Sequence, residues 1–254
     1  MRAIAVIPTY NESANLEELV RRIEACAPGL DLLVVDDNSP DGTGEIADRL
    51  SAARPGRISV LHRERKDGLG RAYVAAFRKV LAEGYDVILQ MDADLSHDPV
   101  YIPKLLARLE RCDLVLGSRY VHGINVVNWD FKRLLLSKLA GMYVRAVTRM
   151  PVSDPTGGFK CWRRAALEAM PLDRIFGAGY VFQVEMNYSA YRAGFRIGEE
   201  PIIFYERNLG ASKMDWRIIL EALFGIVRVR FSHGARRAAR TRPKDWPAAE
   251  CAER

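Results

Sequence analysis

A chain of 254 residues, 49% of them apolar, can bury a large core, and its length fits one domain or one domain with a substantial appendage. No run approaches the roughly 20 apolar residues of a membrane-spanning helix, and Cys26, Cys112, Cys161 and Cys251 lack the CxxC spacing of a zinc site or a disulfide framework, so reduced thiols are expected. The net charge of +6 is uneven, because residues 233–254 carry six basic and three acidic side chains, yet no helix-turn-helix, zinc or aromatic single-strand signature points to nucleic acid.

The apolar stretch at the N-terminus is too short for a signal peptide and reads as a first buried strand. The hydrophobic pattern predicts strands at 3–7, 32–35, 58–61, 87–91 and 114–116. Helices are predicted between them at 14–26, 44–53, 70–83 and 99–109, the alternation of a parallel sheet covered by helices. Beyond Gly117 this regularity breaks. Residues 132–149 form a long basic amphipathic segment, 153–162 are rich in glycine and turn formers, and 180–193 read as helix. Residues 196–205 read as one or two strands, and 216–231 form a last apolar segment before the basic tail.

In open α/β sheets ligands bind at the carboxyl ends of the strands, so the loops 8–12, 36–43 and 92–94 are expected on one rim, as in a nucleotide site. GxGxxG is missing from the first turn and GxxxxGK[ST] from the whole chain, which argues against dehydrogenases and P-loop kinases. Asp92 and Asp94, two residues apart at a strand end, share one face. Their oxygens suit a hard divalent cation, with a nucleotide diphosphate completing the coordination, so metal-assisted departure of a diphosphate is the expected chemistry. The competing reading is a solvated acidic turn. Asp36 and Asp37 can accept hydrogen bonds from ribose hydroxyls or a base N–H; Asp37, Asn38 and Asp41 can equally build the turn into the next helix. Gly68-Leu-Gly70 fits a tight turn or a phosphate contact. His97 is expected to pack behind the acidic turn, since a hard cation prefers oxygen.

Taken together, Ile7-Pro-Thr-Tyr-Asn-Glu12, Val35-Asp-Asp-Asn-Ser-Pro-Asp-Gly-Thr43, Gly68-Leu-Gly70, Met91-Asp-Ala-Asp-Leu-Ser-His97 and Gly117-Ser-Arg-Tyr120 resemble the inverting GT-A glycosyltransferases of family 2. Three further segments, Asp154-Pro-Thr-Gly-Gly-Phe-Lys160, Gly179-Tyr-Val-Phe-Gln-Val-Glu-Met186 and Glu206-Arg-Asn-Leu-Gly-Ala-Ser-Lys213, resemble the dolichol-phosphate (polyprenol-phosphate) mannose synthase branch.

That resemblance implies a GT-A nucleotide-diphospho-sugar transferase fold, α/β, with a mainly parallel central sheet flanked by helices. It implies one catalytic domain over 1–232, with a nucleotide-sugar half at 1–117, an acceptor half at 118–232 and a basic tail at 233–254. The implied reaction is transfer of mannose from GDP-mannose to a polyprenyl (dolichyl) monophosphate, with inversion and release of GDP. UDP-glucose as donor, or a non-enzymatic nucleic-acid binder, are the alternatives. Pro8, Tyr10, Glu12, Asp36, Asp37, Asp41, Asp92 and Ala93 would contact the nucleotide sugar, and Asp92 and Asp94 would hold Mg²⁺ or Mn²⁺. Arg119, Arg207, Lys213 and Asp94 would be catalytic. Arg119, Lys138, Arg207, Ser212 and Lys213 would meet the acceptor phosphate. At Ser137-Lys-Leu-Ala140 the chain departs from the branch's Ser-Arg-Gly-Ala, keeping the charge but losing the guanidinium fork. Glu185 is expected either to position sugar hydroxyls or to pair with an arginine. The lipid acceptor implies peripheral association with the cytoplasmic face of the membrane, through 218–231 and the tail or through a separate membrane-anchoring partner.

Overall fold

Strand β1 (Ala3–Thr9) shows why the first half of the chain folds as it does. Ile4 and Val6 face one core while Ala5 and Ile7 face another, so a strand apolar at every position is stable only with both of its faces covered. The computed structural model describes residues 1–205 and 216–232. In it, β1 is an interior strand, third in a seven-stranded sheet of order β3-β2-β1-β4-β7-β5-β8. The strands are β2 (Asp31–Asp36), β3 (Ile58–His62), β4 (Val87–Gln90), β5 (Leu114–Ser118), β7 (Lys160–Arg163) and β8 (Ile197–Pro201). All neighbours are parallel except β7, which runs antiparallel to both β4 and β5. A separate two-stranded ribbon pairs β6 (Val126–Val127) with β9 (Phe204–Tyr205).

Helices α1 (Leu16–Cys26), α2 (Thr43–Ala53) and α4 (Ile102–Leu109) belong to one side of the sheet, where Leu16, Leu19, Val20 and Ile23 share a core with Ile102, Leu105 and Leu109. The other core is built by α3 (Leu69–Ala82) and α7 (Gly179–Arg192), through Tyr73, Phe77 and Val80 against Phe182, Val184 and Tyr188. Tyr73 lies between Phe77 and Phe182, with centroid separations of 5.6 Å on each side. Helices α5 (Phe131–Thr148) and α8 (Trp216–Ser232) pack on each other, and α8 also packs on α7. A short helix α6 (Arg164–Glu168) follows β7.

Two expectations are corrected. The stretch 153–162 ends in a buried strand rather than in turns. Four residues flanked by hydrogen-bonding neighbours on both sides need no period of their own, and Lys160 at the first position hides the strand from a hydrophobic reading. The thiols are not all reduced either: Cys26 and Cys161 are free, but Cys112 is disulfide-bonded.

Truncating Phe182→Ala removes the ring that joins α3 to α7. It is expected to cost about 3–5 kcal/mol, read as a drop in the urea midpoint with little change in slope.

Candidate active site

The parallel register of β2, β1 and β4 brings the loops that follow them to one edge, with Thr9 beside Asp36 and Val6 beside Gln90. The first two loops are tied together by backbone donors of one and side-chain acceptors of the other. The N–H of Asn11 donates to Ser39 Oγ at 3.2 Å, that of Glu12 to Thr43 Oγ1 at 2.9 Å, and that of Ser13 to Asp41 Oδ2 at 3.1 Å. Asn11 and Asn38 both sit in the left-handed backbone region that asparagine tolerates. Glu12 in turn accepts from Asn15 Nδ2 at 2.8 Å. Tyr10 faces the same rim, with Lys66 Nζ 3.7 Å from its ring centroid, and Pro8 is half-buried in β1.

Within this frame the aspartates have distinct duties. Asp36 is buried and accepts from Ser39 N at 3.2 Å, Ser39 Oγ at 2.5 Å and Thr9 Oγ1 at 3.3 Å. Asp37 pairs with Arg63 at 2.5 Å, yet burial still pushes its carboxyl above the usual range, with Asp36 adding to the push. For the exposed Asp41, burial works upward, but hydrogen bonds from Thr43 and Ser13 prevail and bring the carboxyl down to about 2. Asp41 therefore builds the turn into α2, the structural half of its dual expectation.

The acidic turn follows β4. Asp92 keeps 27% of its side chain exposed, Ala93 is buried between the two carboxylates, and Asp94 accepts from Ser96 N at 3.1 Å and Ser96 Oγ at 2.5 Å. Leu95 adopts φ 61°, a left-handed conformation that an L-leucine takes only when its surroundings impose it. His97 is buried, stacked on Phe159 and edge-on to Phe204, and its Nδ1 accepts from Asp92 N–H at 3.2 Å. It orders the turn from behind, as expected. Above Asp92, a Cβ on Gly158 would lie 3.2 Å from Asp92 Oδ2, so glycine keeps this approach open. Two carboxylates with a glycine-cleared face fit a hard cation whose remaining oxygens come from a bound diphosphate; no group of three or more His, Cys, Asp or Glu stands ready as a closed cage among the described residues.

Three groups that the sequence reading passed over lie beneath the turn. The Tyr73 hydroxyl donates to Met91 O at 3.3 Å, and burial, then the charge of Asp92 and Asp94, pushes it well above its ordinary value. Lys160 is fully buried and donates to Gln183 O at 3.0 Å; burial drives its ammonium well down, against the pull of Asp154 and Asp92. Gln183 also accepts from Gln90 Nε2 at 2.8 Å, so α7 is hydrogen-bonded to the residue that ends β4.

Just past β5, Arg119 holds Asp154 in a buried bidentate pair, Nε–Oδ2 at 2.6 Å and Nη2–Oδ1 at 2.7 Å, and reaches Thr156 Oγ1 at 2.9 Å. Burial opposes both charges, but each partner outweighs it, so Arg119 stays ionised and the Asp154 carboxyl lies below its usual range. The fork expected to grip an acceptor phosphate is thus engaged by a carboxylate along its Nε–Nη2 edge. Lys138 lies on α5 with its ammonium 4.0 Å from the Tyr120 ring centroid. Arg207, Ser212 and Lys213 lie outside the described residues.

The Glu185 carboxylate accepts from the backbone N–H of Gly177 at 2.7 Å and of Phe176 at 3.2 Å, and the positive charge of Arg228 acts on it. Burial outweighs these contacts and raises the carboxyl to about 7. An acid inside a helix apolar on every side was the sequence signal for such a role.

Residues 4–170 match the family model for glycosyl transferase family 2. A polyprenol monophosphomannose synthase from Mycolicibacterium smegmatis is 45% identical over 226 residues, covering 89% of this chain and 85% of that protein. An undecaprenyl-phosphate mannosyltransferase from Micrococcus luteus is 46% identical over 228 residues, covering 90% and 93%. Among solved structures, glucosyl-3-phosphoglycerate synthase from Mycobacterium tuberculosis, in complex with Mn²⁺, uridine-diphosphate and phosphoglyceric acid, superimposes with a TM-score of 0.65. It is 21% identical, with 91% of this chain and 78% of that chain covered. At that identity the likeness speaks for the fold alone, and the fold is the GT-A arrangement that the motifs imply.

Asp154→Asn leaves Arg119 charged and buried without its counter-ion, and is expected to destabilise the protein by about 3–5 kcal/mol in chemical denaturation. Because Glu185 titrates higher folded than unfolded, its protonated form favours the fold. Its contribution is present in full below about 4.5 and fades as the pH rises through about 7. The urea midpoint is expected to fall across that window in the wild type, and Glu185→Gln to flatten the fall.

Proposed function

We propose, from the premise that this chain belongs to glycosyl transferase family 2, that it transfers mannose from GDP-mannose to the phosphate of a polyprenyl monophosphate, inverting the anomeric centre and releasing GDP. The observation that carries this reading is near-full-length identity of 45–46% to two polyprenyl-phosphate mannose transferases, joined to an acidic turn of the right composition at the nucleotide rim. In this reading residues 1–117 bind the donor and 118–232 the acceptor.

The proposed division of labour follows from charge. Asp92 and Asp94 would hold Mg²⁺ or Mn²⁺, which when bound offsets negative charge on the departing diphosphate. Support for a divalent ion comes from the oxygen donor set and from the Mn²⁺ in the uridine-diphosphate complex of the fold neighbour. Tyr10, Glu12, Asp36 and Asp37 are assigned to the nucleoside side, where the interlocked loops hold their shape before a ligand arrives. A phosphate monoester has its second pKa at about 6 and is largely dianionic at neutral pH, so the acceptor is itself the nucleophile and needs no general base. What it needs is cationic positioning, assigned here to Arg119, Lys138, Arg207 and Lys213, with Ser212 as a hydroxyl donor.

A polyprenyl acceptor also requires contact with lipid. No helix among the described residues is long and apolar enough to cross a membrane. Helix α5 instead exposes Phe131, Leu135, Leu139 and Met142 at helical spacing, and the adjoining α8 exposes Phe224, Val227 and Phe231. Phe131 and Phe231 are 77% and 75% exposed, which water alone does not favour. Lys132 on α5 and Arg228 on α8 add positive charge to these helices. We assign this paired face to the membrane interface.

Purified protein given Mg²⁺, a short polyprenyl phosphate and radiolabelled GDP-mannose is expected to label the organic extract, with chelator or Asp94→Ala reducing labelling to background. Labelling from UDP-glucose alone would keep the fold and overturn the donor. The double variant Phe224→Ser, Phe231→Ser is expected to weaken vesicle co-sedimentation at least about tenfold, since each buried phenylalanine is worth about 1.5–3 kcal/mol. Truncation after Ser232 is expected to weaken it further at low salt only.

A further inference from the structure

The short loop that Glu185 holds touches both ends of the molecule's proposed work. Inward, it rests on the turn that opens α3: a Cβ on Gly70 would lie 2.6 Å from the carbonyl oxygen of Gly177, so the two backbones meet where only glycine fits. A Cβ on Gly177 would itself fall 2.9 Å from Glu185 Oε2 and 2.6 Å from Phe182 N. Phe176, Gly177, Gly68 and Gly70 line a cavity of about 420 Å³, and a further wall is Arg63, the residue paired with Asp37 at the end of β2. Outward, the ring of Phe176 carries the Arg228 guanidinium at 4.1 Å. Arg228 belongs to α8, between the exposed Val227 and Phe231, and α8 is seated so closely that a Cβ on Gly225 would lie 3.0 Å from Val181 of α7. A chain of contacts therefore runs from α8 through residues 175–178 to Gly70.

We propose that Glu185 is a positioning residue that locks residues 175–178 between α8 and the Gly68–Gly70 turn, so that seating of α8 on lipid is transmitted to the cavity beside the proposed donor rim, which Arg63 joins to Asp37. This rests on the reading of the rim as a donor site and of α8 as lipid-facing. The hydrogen bonds from two backbone amides fix the loop in one arrangement, which apolar packing alone does not do. Among the described residues Arg228 is a cation acting on the Glu185 carboxyl, and it does so from the helix whose position is to be sensed. Such an arrangement would couple acceptor-side docking to donor affinity through a contiguous set of contacts, with both sites biasing one loop.

The test is amide hydrogen exchange on the full chain, with and without vesicles of phosphatidylcholine and phosphatidylglycerol, read in peptides covering 66–72 and 175–178. Binding of GDP and of UDP with Mg²⁺ is measured in parallel. In the wild type, vesicles are expected to slow exchange in both segments and to tighten nucleotide binding. Glu185→Ala is expected to raise exchange in both by about tenfold or more, to weaken nucleotide binding by about tenfold, and to abolish the response to vesicles. Glu185→Gln keeps an acceptor oxygen for Gly177 and is expected to restore most of the protection. Arg228→Ala is expected to lose the vesicle response in both segments while still co-sedimenting with the vesicles, so it decides the matter even if Glu185→Ala fails to fold. Unchanged exchange at 66–72 in folded Glu185→Ala, or a full vesicle response in Arg228→Ala, overturns the proposal. If the wild type binds neither nucleotide while exchange in both segments still responds to vesicles, the transferase reading falls and the coupling stands.

Discussion

The buried ion pair between Arg119 and Asp154 is the constraint around which the site is organised. Removing two charges from water is costly, and the pair tolerates it because Asp154 accepts from Nε, Nη2 and the Arg119 backbone N–H while Thr156 takes a further hydrogen from Nη2. Asp154 precedes the two glycines of 157–158 by only a few residues. Fixing it against the end of β5 therefore fixes Gly157 against the Gly117 carbonyl and Gly158 over Asp92. The same loop feeds β7 between β4 and β5. One electrostatic contact thus sets the clearance above the acidic turn and the register of the strand beneath it.

Helix α7 provides the second constraint, and it does so with polar side chains in an apolar setting. Buried from Val181 to Ala190, it carries three polar groups that bond outside the helix, with three different assignments, besides Ser189, which bonds back to Glu185 O. Gln183 is bonded to Gln90 at the end of β4, Glu185 to the loop before the helix, and Asn187 Nδ2 to Pro155 O at 2.9 Å. Each bond ends on a segment that borders the site. A purely apolar helix would bury as much surface but leave these segments without a fixed reference, and buried polar groups of this kind define one arrangement rather than several.

Much of this was legible in the sequence, for identifiable reasons. The five parallel strands and four helices of the first half declare themselves because each buried strand is an unbroken apolar run and each helix has one apolar stripe. The acidic pair is legible because carboxylates directly after such a run have no packing role. Strand β7 is not legible, since it is short, begins with lysine, and owes its existence to the two edges it joins. Arg119 stands out in the sequence as a candidate through its motif, but its partner does not, because Asp154 is 35 residues away and only the fold brings them together. The same holds for Arg63 with Asp37 and for Lys160 below the turn: ion pairs and buried charges formed across sequence distance leave no local pattern.

The antiparallel placement of β7 has a consequence for how the chain is made. Strands β4 and β5 share no hydrogen bonds with each other, and each pairs with β7 instead. A nascent chain that has emerged only as far as β5 can assemble β3-β2-β1-β4, but β4 then ends in an open edge, and β5 has neither β7 nor β8 to lie against. The sheet closes only when the segment 160–163 arrives, antiparallel, into the gap. Until then the most apolar strands of the protein sit beside an unpaired ladder, the circumstance in which chains pair with one another instead. The first half of the chain is therefore not a free-standing module to which the second half was added. It is a half-sheet whose exposed edge is sealed by the other half, so a fragment cut near Gly117 would be prone to self-association.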